Sequence, residues 1–146
     1  MNIVGRSVQI LLVEDNPGDI RLIQEALNES NKDCVLSVVK DGIEAVSFVR
    51  QDGRYAEAMR PDIILLDLNL PKKDGREVLG EIKGDPNLRR IPVVVFTGSE
   101  SEEDVCKAYD MYANCYVVKS AGLDGFIKLV KEVEDFWLTI ASLPPS

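Results

Sequence analysis

The chain alternates short runs of large aliphatic residues with longer segments in which apolar positions recur at helical spacing. An unbroken apolar run bounded by turn residues predicts a strand buried on both faces, and the amphipathic segments predict helices. The predicted strands lie at 8–13, 35–39, 63–67, 93–97 and 115–118, and the predicted helices lie at 17–29, 42–51, 74–84, 102–112 and 123–142. Because strand and helix alternate throughout, the pattern predicts an α/β fold with one doubly wound, five-stranded parallel sheet.

Polar residues stand where four of the predicted strands end. In chain order they are Glu14 with Asp15, Asp67, Thr97 with Gly98, and Lys119. Each is common alone, since acidic pairs, lysines and Thr-Gly turns occur on many protein surfaces. Here each follows an apolar run, and the carboxyl ends of parallel strands share the edge where open α/β sheets bind their ligands. We therefore expect acids, a hydroxyl and an ammonium to converge on one rim.

The acidic residues at these strand ends predict a metal site. Glu14, Asp15 and Asp67 would repel one another in a partly dry cleft, and a small, hard divalent cation offsets that repulsion. Mg²⁺ fits this prediction because it takes a few carboxylates and keeps several of its waters.

A carboxylate beside such a cation can act as a nucleophile toward phosphorus, which would make Asp67 the site of an aspartyl phosphate. Phosphoryl transfer then needs mainly alignment and neutralisation of charge on the equatorial oxygens. Lys119 would pair with one of these oxygens and Thr97 would donate a hydrogen bond to another, while Gly98 leaves space for the group to approach.

Composition narrows the classes of function. With 146 residues, of which 45% are hydrophobic, the chain has the size of one domain that needs no disulfide or metal staple. Its formal net charge of −8 argues against nucleic acid or an anionic membrane as the main partner. The absence of histidine excludes the usual zinc sites and the Ser/His/Asp triad. A short, polar N-terminus and no membrane-spanning apolar stretch predict a cytoplasmic protein.

The cysteines, Cys34, Cys106 and Cys115, lack the spacing of a metal or redox motif. Two of them lie in or beside apolar segments. We therefore expect reduced thiols packed in the core.

Several short motifs together resemble the receiver domain of two-component response regulators. They are Glu14-Asp15-Asn16, Asp67-Leu68-Asn69-Leu70-Pro71 followed by Asp74-Gly75, Thr97-Gly98, and Tyr116 three residues before Lys119. The resemblance implies a flavodoxin-like fold with strand order 2-1-3-4-5. It also implies a single receiver domain over residues 1–146 with no output domain, acting as a phosphoacceptor rather than as an enzyme.

The resemblance assigns the phosphoacceptor and the metal ligands. Asp67 would accept phosphate from a sensor histidine kinase. Mg²⁺ would be held by Asp15, Asp67 and the backbone carbonyl of Asn69, and by Glu14 through a water molecule.

The resemblance also assigns the residues that sense the phosphoryl group. Lys119 would pair with it, and Thr97 would move to bond it while Tyr116 turns inward, so that these last two form a switch. Asn69 and Ser99 would tune the phosphate lifetime by controlling the access of water.

Two positions depart from the usual pattern of this family. Ser120 stands where the family has a proline in a cis bond, and Tyr112 stands where a helix-ending glycine is common. Because a cis bond before a residue other than proline costs about 3 kcal/mol, the conformation around Lys119 is the part of the site that the sequence determines least.

A narrower resemblance concerns two segments, Asn114-Cys115-Tyr116-Val117-Val118-Lys119-Ser120 and Asp135-Phe136-Trp137-Leu138. Both are similar to the small regulators that partner cyanobacterial and bacterial phytochromes. This similarity implies a phytochrome-type light sensor as the kinase. It also implies a homodimer formed through the fourth helix, the fifth strand and the fifth helix, so that the signal leaves through the domain's own surface.

Two alternatives remain open at this point. A degenerate receiver would bind its partners without being phosphorylated, an alternative raised by Ser120. A phosphatase of the haloacid dehalogenase type also uses a strand-end aspartate, Mg²⁺, a hydroxyl and a lysine. Such a phosphatase needs a second aspartate two residues after the nucleophile, where this chain has Asn69, whose amide cannot shuttle a proton.

Overall fold

The computed structural model describes residues 7–28, 34–98 and 102–118. Its strands are β1 (Val8–Val13), β2 (Cys34–Val39), β3 (Ile63–Leu66), β4 (Val93–Thr97) and β5 (Cys115–Val118). Its helices are α1 (Pro17–Asn28), α2 (Gly42–Arg50), α3 (Gly75–Gly84) and α4 (Glu102–Asp110), with a short 3-10 turn at Gly53–Tyr55. The helix predicted at 123–142 lies outside the described residues.

The strands form one parallel sheet in the order β2-β1-β3-β4-β5, which confirms the predicted class and strand order. Val13 lies opposite both Val39 and Leu66, so β1, β2 and β3 end side by side. The hydrogen-bond ladder continues past these ends. The amide of Glu14 donates to the carbonyl of Val39 and the amide of Asp67 donates to the carbonyl of Val13, both at 3.0 Å. The ladder therefore fixes the backbone of both acids at the same edge.

Each face of the sheet carries its own hydrophobic core. On one face, Leu11 and Val13 pack with buried residues of α2 and α3. On the other face, Ile10 and Leu12 pack with buried residues of α1. Because both faces are covered, β3 is apolar at every position and β4 is apolar up to Thr97, which is why these strands stand out in the sequence. Within residues 7–28, 34–98 and 102–118, no helix combines the length and the apolar character that crossing a bilayer requires.

Two helices begin or end one residue away from the prediction because of local caps. α2 ends at Arg50 rather than at 51, since Gln51 adopts a left-handed conformation with φ 57°. α3 begins at Gly75 rather than at 74, since Asp74 is its N-cap. The side chain of Asp74 accepts a hydrogen bond from the amide of Arg76 at 2.8 Å, which satisfies one free amide of the first turn.

The end of α4 also differs from the prediction, because the helix stops at Asp110 rather than at 112. Tyr112 adopts a left-handed conformation with φ 67° and is 75% exposed. A side chain in this conformation costs on the order of 1 kcal/mol more than glycine, which fits the expectation that glycine is usual here. The other differences are small, since β2 starts at 34 rather than 35 and β3 ends at 66 rather than 67. Residue 29, where the prediction ends α1, lies outside the described residues.

The prediction that the cysteines lie in the core is wrong for Cys106, which is exposed on α4. Ala108 is buried on the same helix. Residues two positions apart are about 200° apart around a helix axis, so Cys106 points away from the side that Ala108 buries. Cys34 is half-buried and packs against the core on the α1 face.

The amino ends of β4 and β5 are held by Lys83, in the last turn of α3. Its ammonium donates to the carbonyl oxygens of Arg89 at 3.0 Å and Ile91 at 2.8 Å, and to Oδ1 of Asn114 at 3.0 Å. The same Oδ1 accepts from the amide of Val93 at 2.9 Å. Burial lowers the pKa of Lys83 to about 8. These contacts join α3 to the points where β4 and β5 begin.

Candidate functional site

Three acidic side chains meet at the carboxyl edge of the sheet. One carboxylate oxygen from each of Glu14, Asp15 and Asp67 lies within 4.8 Å of those of the other two. Glu14 is 1% exposed and Asp67 is 7% exposed, whereas Asp15 is open to solvent. The structure therefore brings together the three acids that the sequence analysis singled out.

Hydrogen bonds from the loops that follow β1 and β3 orient the buried carboxylates. Oε1 of Glu14 accepts a hydrogen bond from the amide of Asn16 at 3.1 Å, and Oδ1 of Asp67 accepts one from the amide of Asn69 at 3.2 Å. Oδ1 of Asn16 in turn accepts from the amide of Asp19 at 3.1 Å, which caps the start of α1. The carboxylates of Glu14 and Asp67 are thus each hydrogen-bonded to the loop that follows them, and these bonds fix both the loop and the carboxylate.

This cluster fits a divalent cation. Like charges within 4.8 Å repel one another, and the repulsion is stronger because two of the three groups are buried. Carboxylate oxygens are hard ligands of the kind that Mg²⁺ and Mn²⁺ accept. We therefore assign a divalent metal site to the acidic cluster of Glu14, Asp15 and Asp67.

Thr97 is the last residue of β4 and is fully buried. Because β3 and β4 pair with Leu66 opposite Val95, Thr97 lies along the same rim as Asp67. Its hydroxyl has no hydrogen-bond partner among the residues that the structure describes. A buried hydroxyl without a partner costs about 1–3 kcal/mol, so this group favours an acceptor that arrives at the rim. A Cβ on the exposed Gly98 would meet no atom within 4 Å, which leaves room for such a group.

Of the other residues that the sequence analysis placed at or near the site, the structure describes Tyr116. Tyr116 lies in β5 opposite Val95 and is half-buried against the core on the α2 and α3 face. Its ring therefore stands on the strand beside the one that ends in Thr97. Lys119, Ser99 and Ser120 lie outside the described residues.

The sequence analysis missed a fourth acid near the rim. Asp41 follows β2 by two positions and is 7% exposed. Its Oδ1 accepts from the amide of Glu44 at 2.8 Å and so caps α2, and its Oδ2 lies 3.5 Å from Nζ of Lys72. The available signal was its place after a predicted strand, which is the same kind of place that drew attention to Asp67.

Fold and site together define a class of protein, a doubly wound parallel α/β domain with an acidic cation site and a buried hydroxyl at its carboxyl edge. The model of the response regulator receiver domain matches residues 10–131. The chain belongs to this family. Members are phosphoacceptors in signalling rather than classical enzymes, which sets aside the phosphatase alternative.

Individual relatives resemble the chain over nearly its whole length. Response regulator Rcp1 from Synechocystis sp. is 53% identical over 135 residues, which cover 92% of this chain and 92% of that protein. The crystal structure of the phosphorylated cyanobacterial phytochrome response regulator RcpA is 57% identical, with a TM-score of 0.92, over 95% of this chain and 99% of that chain. The Mn²⁺-bound form of Rcp1 is 51% identical, with a TM-score of 0.92, over 94% of this chain and 99% of that chain.

Proposed function

We propose that the chain is a response regulator whose Asp67 accepts a phosphoryl group from a sensor histidine kinase in a reaction that depends on Mg²⁺. The observation that carries this proposal is the clustering of Glu14, Asp15 and Asp67 within 4.8 Å at the carboxyl edge of the sheet. Two relatives support it, since RcpA is known in a phosphorylated form and Rcp1 in a Mn²⁺-bound form. The chain has no histidine, so the phosphoryl group would come from another molecule.

In the proposed reaction, a carboxylate oxygen of Asp67 attacks the phosphorus of the kinase's phosphohistidine. An oxygen–phosphorus bond forms as the phosphorus–nitrogen bond breaks, and the leaving imidazole keeps the electron pair and takes up a proton from solvent. The hydrogen bond from the amide of Asp67 to the carbonyl of Val13 fixes the backbone of Asp67, and the hydrogen bond from the amide of Asn69 to its Oδ1 keeps the carboxylate in place for this attack.

Bound Mg²⁺ would offset the negative charge of the phosphoryl oxygens. We assign its direct ligands to Asp15, Asp67 and the carbonyl of Asn69, with Glu14 acting through a water molecule. Lys119 would pair with a further phosphoryl oxygen as a second cation. The short distances within the acidic cluster support this assignment, because such a cluster is most stable with a cation among its oxygens.

We further propose that the kinase is a phytochrome-type light sensor, on the strength of the similarity to RcpA and Rcp1. Incubation with a phytochrome histidine kinase and ATP should label the chain with acid-labile phosphate at Asp67, and the amount should differ between red and far-red light. Peptide mapping by mass spectrometry locates the label. If neither this kinase nor acetyl phosphate with Mg²⁺ labels Asp67, the degenerate receiver that works without phosphate is the better description.

The signal would leave through a homodimer formed by α4, β5 and the fifth helix. Tyr109, on α4, is 48% exposed and Tyr112, just beyond that helix, is 75% exposed. Aromatic side chains are enriched at protein interfaces, so an exposed pair of this kind supports a contact on this face. The net charge of −8 supports a protein rather than a nucleic acid as the partner.

Thr97 and Tyr116 would form the switch that links phosphate to this surface. Replacing Thr97 by alanine should leave Asp67 able to accept phosphate, because Thr97 is not the nucleophile. The phosphorylation-dependent change in dimer affinity should fall about fivefold or more, since the hydroxyl that bonds the new phosphoryl oxygens is gone. Analytical ultracentrifugation with and without acetyl phosphate measures this change.

Thr97→Ser is the matched control, because it keeps the hydroxyl and loses only a methyl group. It should retain most of the coupling between phosphorylation and dimer affinity. A Thr97→Ala protein that is labelled and couples as well as the wild type would contradict the switch.

A further inference from the structure

The loop between β3 and α3, residues 67–74, lies against the start of α2. The amide of Gly42 donates to the carbonyl of Pro71 at 3.3 Å. A Cβ on Gly42 would lie 1.9 Å from the carbonyl oxygen of Lys73 and 2.7 Å from its carbonyl carbon. These distances are well below van der Waals contact, so any side chain larger than hydrogen at this position must push the loop or the helix aside.

The same loop is held at its far end and along its length. A Cβ on Gly75 would lie 2.2 Å from the carbonyl oxygen of Asp67, and the amide of Gly75 donates to the carbonyl of Leu68 at 2.9 Å. Lys72 adopts φ 67°, a conformation that a side chain rarely takes without support from its surroundings. Its ammonium lies 3.5 Å from Oδ2 of Asp41, an ion pair that joins the loop to the N-cap of α2.

We propose that Gly42 is a positioning residue for the metal site, although it contributes no ligand. It lets the loop approach α2 closely, and the loop carries Asn69, whose carbonyl we assign to the metal. Asn69 lies two positions before Pro71, whose carbonyl accepts from the Gly42 amide, and four positions before Lys73, which a Cβ on Gly42 would strike. A displacement of the loop at these contacts therefore reaches Asn69 through a short stretch of backbone. This inference rests on the proposed function, since it assumes that Asn69 is a ligand.

Gly42→Ala should lower the affinity for Mg²⁺ about tenfold in the absence of any phosphodonor, as loss of a group that orients a metal ligand usually does. Isothermal titration calorimetry measures the affinity, and circular dichroism shows whether the fold is kept. In labelling by acetyl phosphate, the Mg²⁺ concentration for half-maximal rate should rise by the same factor. The maximal rate should be unchanged, because Asp67 itself is not altered.

Gly84→Ala is the matched control, because a Cβ there meets nothing within 4 Å. It should bind Mg²⁺ as the wild type does. A folded Gly42→Ala protein that also binds Mg²⁺ like the wild type would overturn the proposal.

If Gly42→Ala does not fold, a second variant tests whether Mg²⁺ binding depends on the position of this loop. Lys72→Gln removes the ion pair with Asp41 from a side chain that is 65% exposed. Loss of a positive charge alone would tighten Mg²⁺ binding, whereas a loosened loop should weaken it about twofold. Tighter or unchanged binding would overturn the proposal. Failure of the proposed function has a different signature, a wild-type protein that binds Mg²⁺ but never gains phosphate at Asp67.

Discussion

The Asp67→Asn protein is expected to gain no phosphate from acetyl phosphate or from a histidine kinase, a loss of more than about a thousandfold in labelling rate. The reason is chemical rather than structural. An amide oxygen is a poor nucleophile toward phosphorus, yet it still accepts the hydrogen bond that Asp67 receives from the amide of Asn69 at 3.2 Å. The backbone bond from residue 67 to the carbonyl of Val13 is likewise unaffected, so the fold should be retained.

Intact mass spectrometry after incubation with Mg²⁺ and acetyl phosphate provides the measurement, with circular dichroism to verify the fold. Asp110→Asn is the matched control, since Asp110 is an exposed aspartate at the end of α4. It should be labelled at the wild-type rate. Undiminished labelling of the Asp67→Asn protein would mean that the phosphoacceptor is another residue and that the proposed function is assigned to the wrong side chain.

Much of the fold was predictable because buried parallel strands have a strong signature in the sequence. Ile63–Leu66 is buried on both faces, so it is apolar at every position and stands out from the amphipathic segments around it. The location of Glu14 and Asp67 at one edge follows from the same fact, since parallel strands end together. For these residues, the order of strands and helices along the chain was sufficient to predict that the two acids share one edge of the sheet.

Contacts between separate loops were not predictable in this way. The ion pair of Asp41 with Lys72 and the close approach of Gly42 to Lys73 join segments from different β/α units. The hydrophobic pattern of either segment does not predict a contact with the other, because the contact depends on how two loops lie next to each other at the edge of the sheet. The hydroxyl of Thr97 is a similar case, since its burial follows from its strand, but its lack of a partner among the described residues depends on which side chains other segments place around it.

Helix ends were predicted only to within a residue or two, because caps decide them. Asp74 stands before α3 rather than in it since its side chain bonds the amide of Arg76, and Gln51 ends α2 through its left-handed backbone. The exposed side of α4 was predictable in principle. The helical spacing that buries Ala108 places Cys106 on the other side of the helix, and the expectation of a core thiol overlooked this.

Asp15→Asn is expected to change metal binding and stability in opposite directions. It removes one of the three carboxylates that lie within 4.8 Å of one another, so the affinity for Mg²⁺ should fall about a hundredfold. Without metal, the same change relieves repulsion among like charges. The free energy of unfolding should therefore rise by about 0.5–1 kcal/mol, a modest gain because Asp15 is exposed and solvent screens its charge.

Urea unfolding in EDTA and in excess Mg²⁺ tests both effects in one experiment. In EDTA the Asp15→Asn protein should be the more stable, whereas in Mg²⁺ at 100 times its dissociation constant the wild type gains about 2.7 kcal/mol and should overtake it. Asp52→Asn, which alters an exposed aspartate of the loop after α2, should unfold like the wild type under both conditions. An order of stability that is the same with and without Mg²⁺ would show that the acidic cluster is not where the cation binds. The reversal is diagnostic because general damage to the fold lowers stability under both conditions, while only a cation ligand changes the sign.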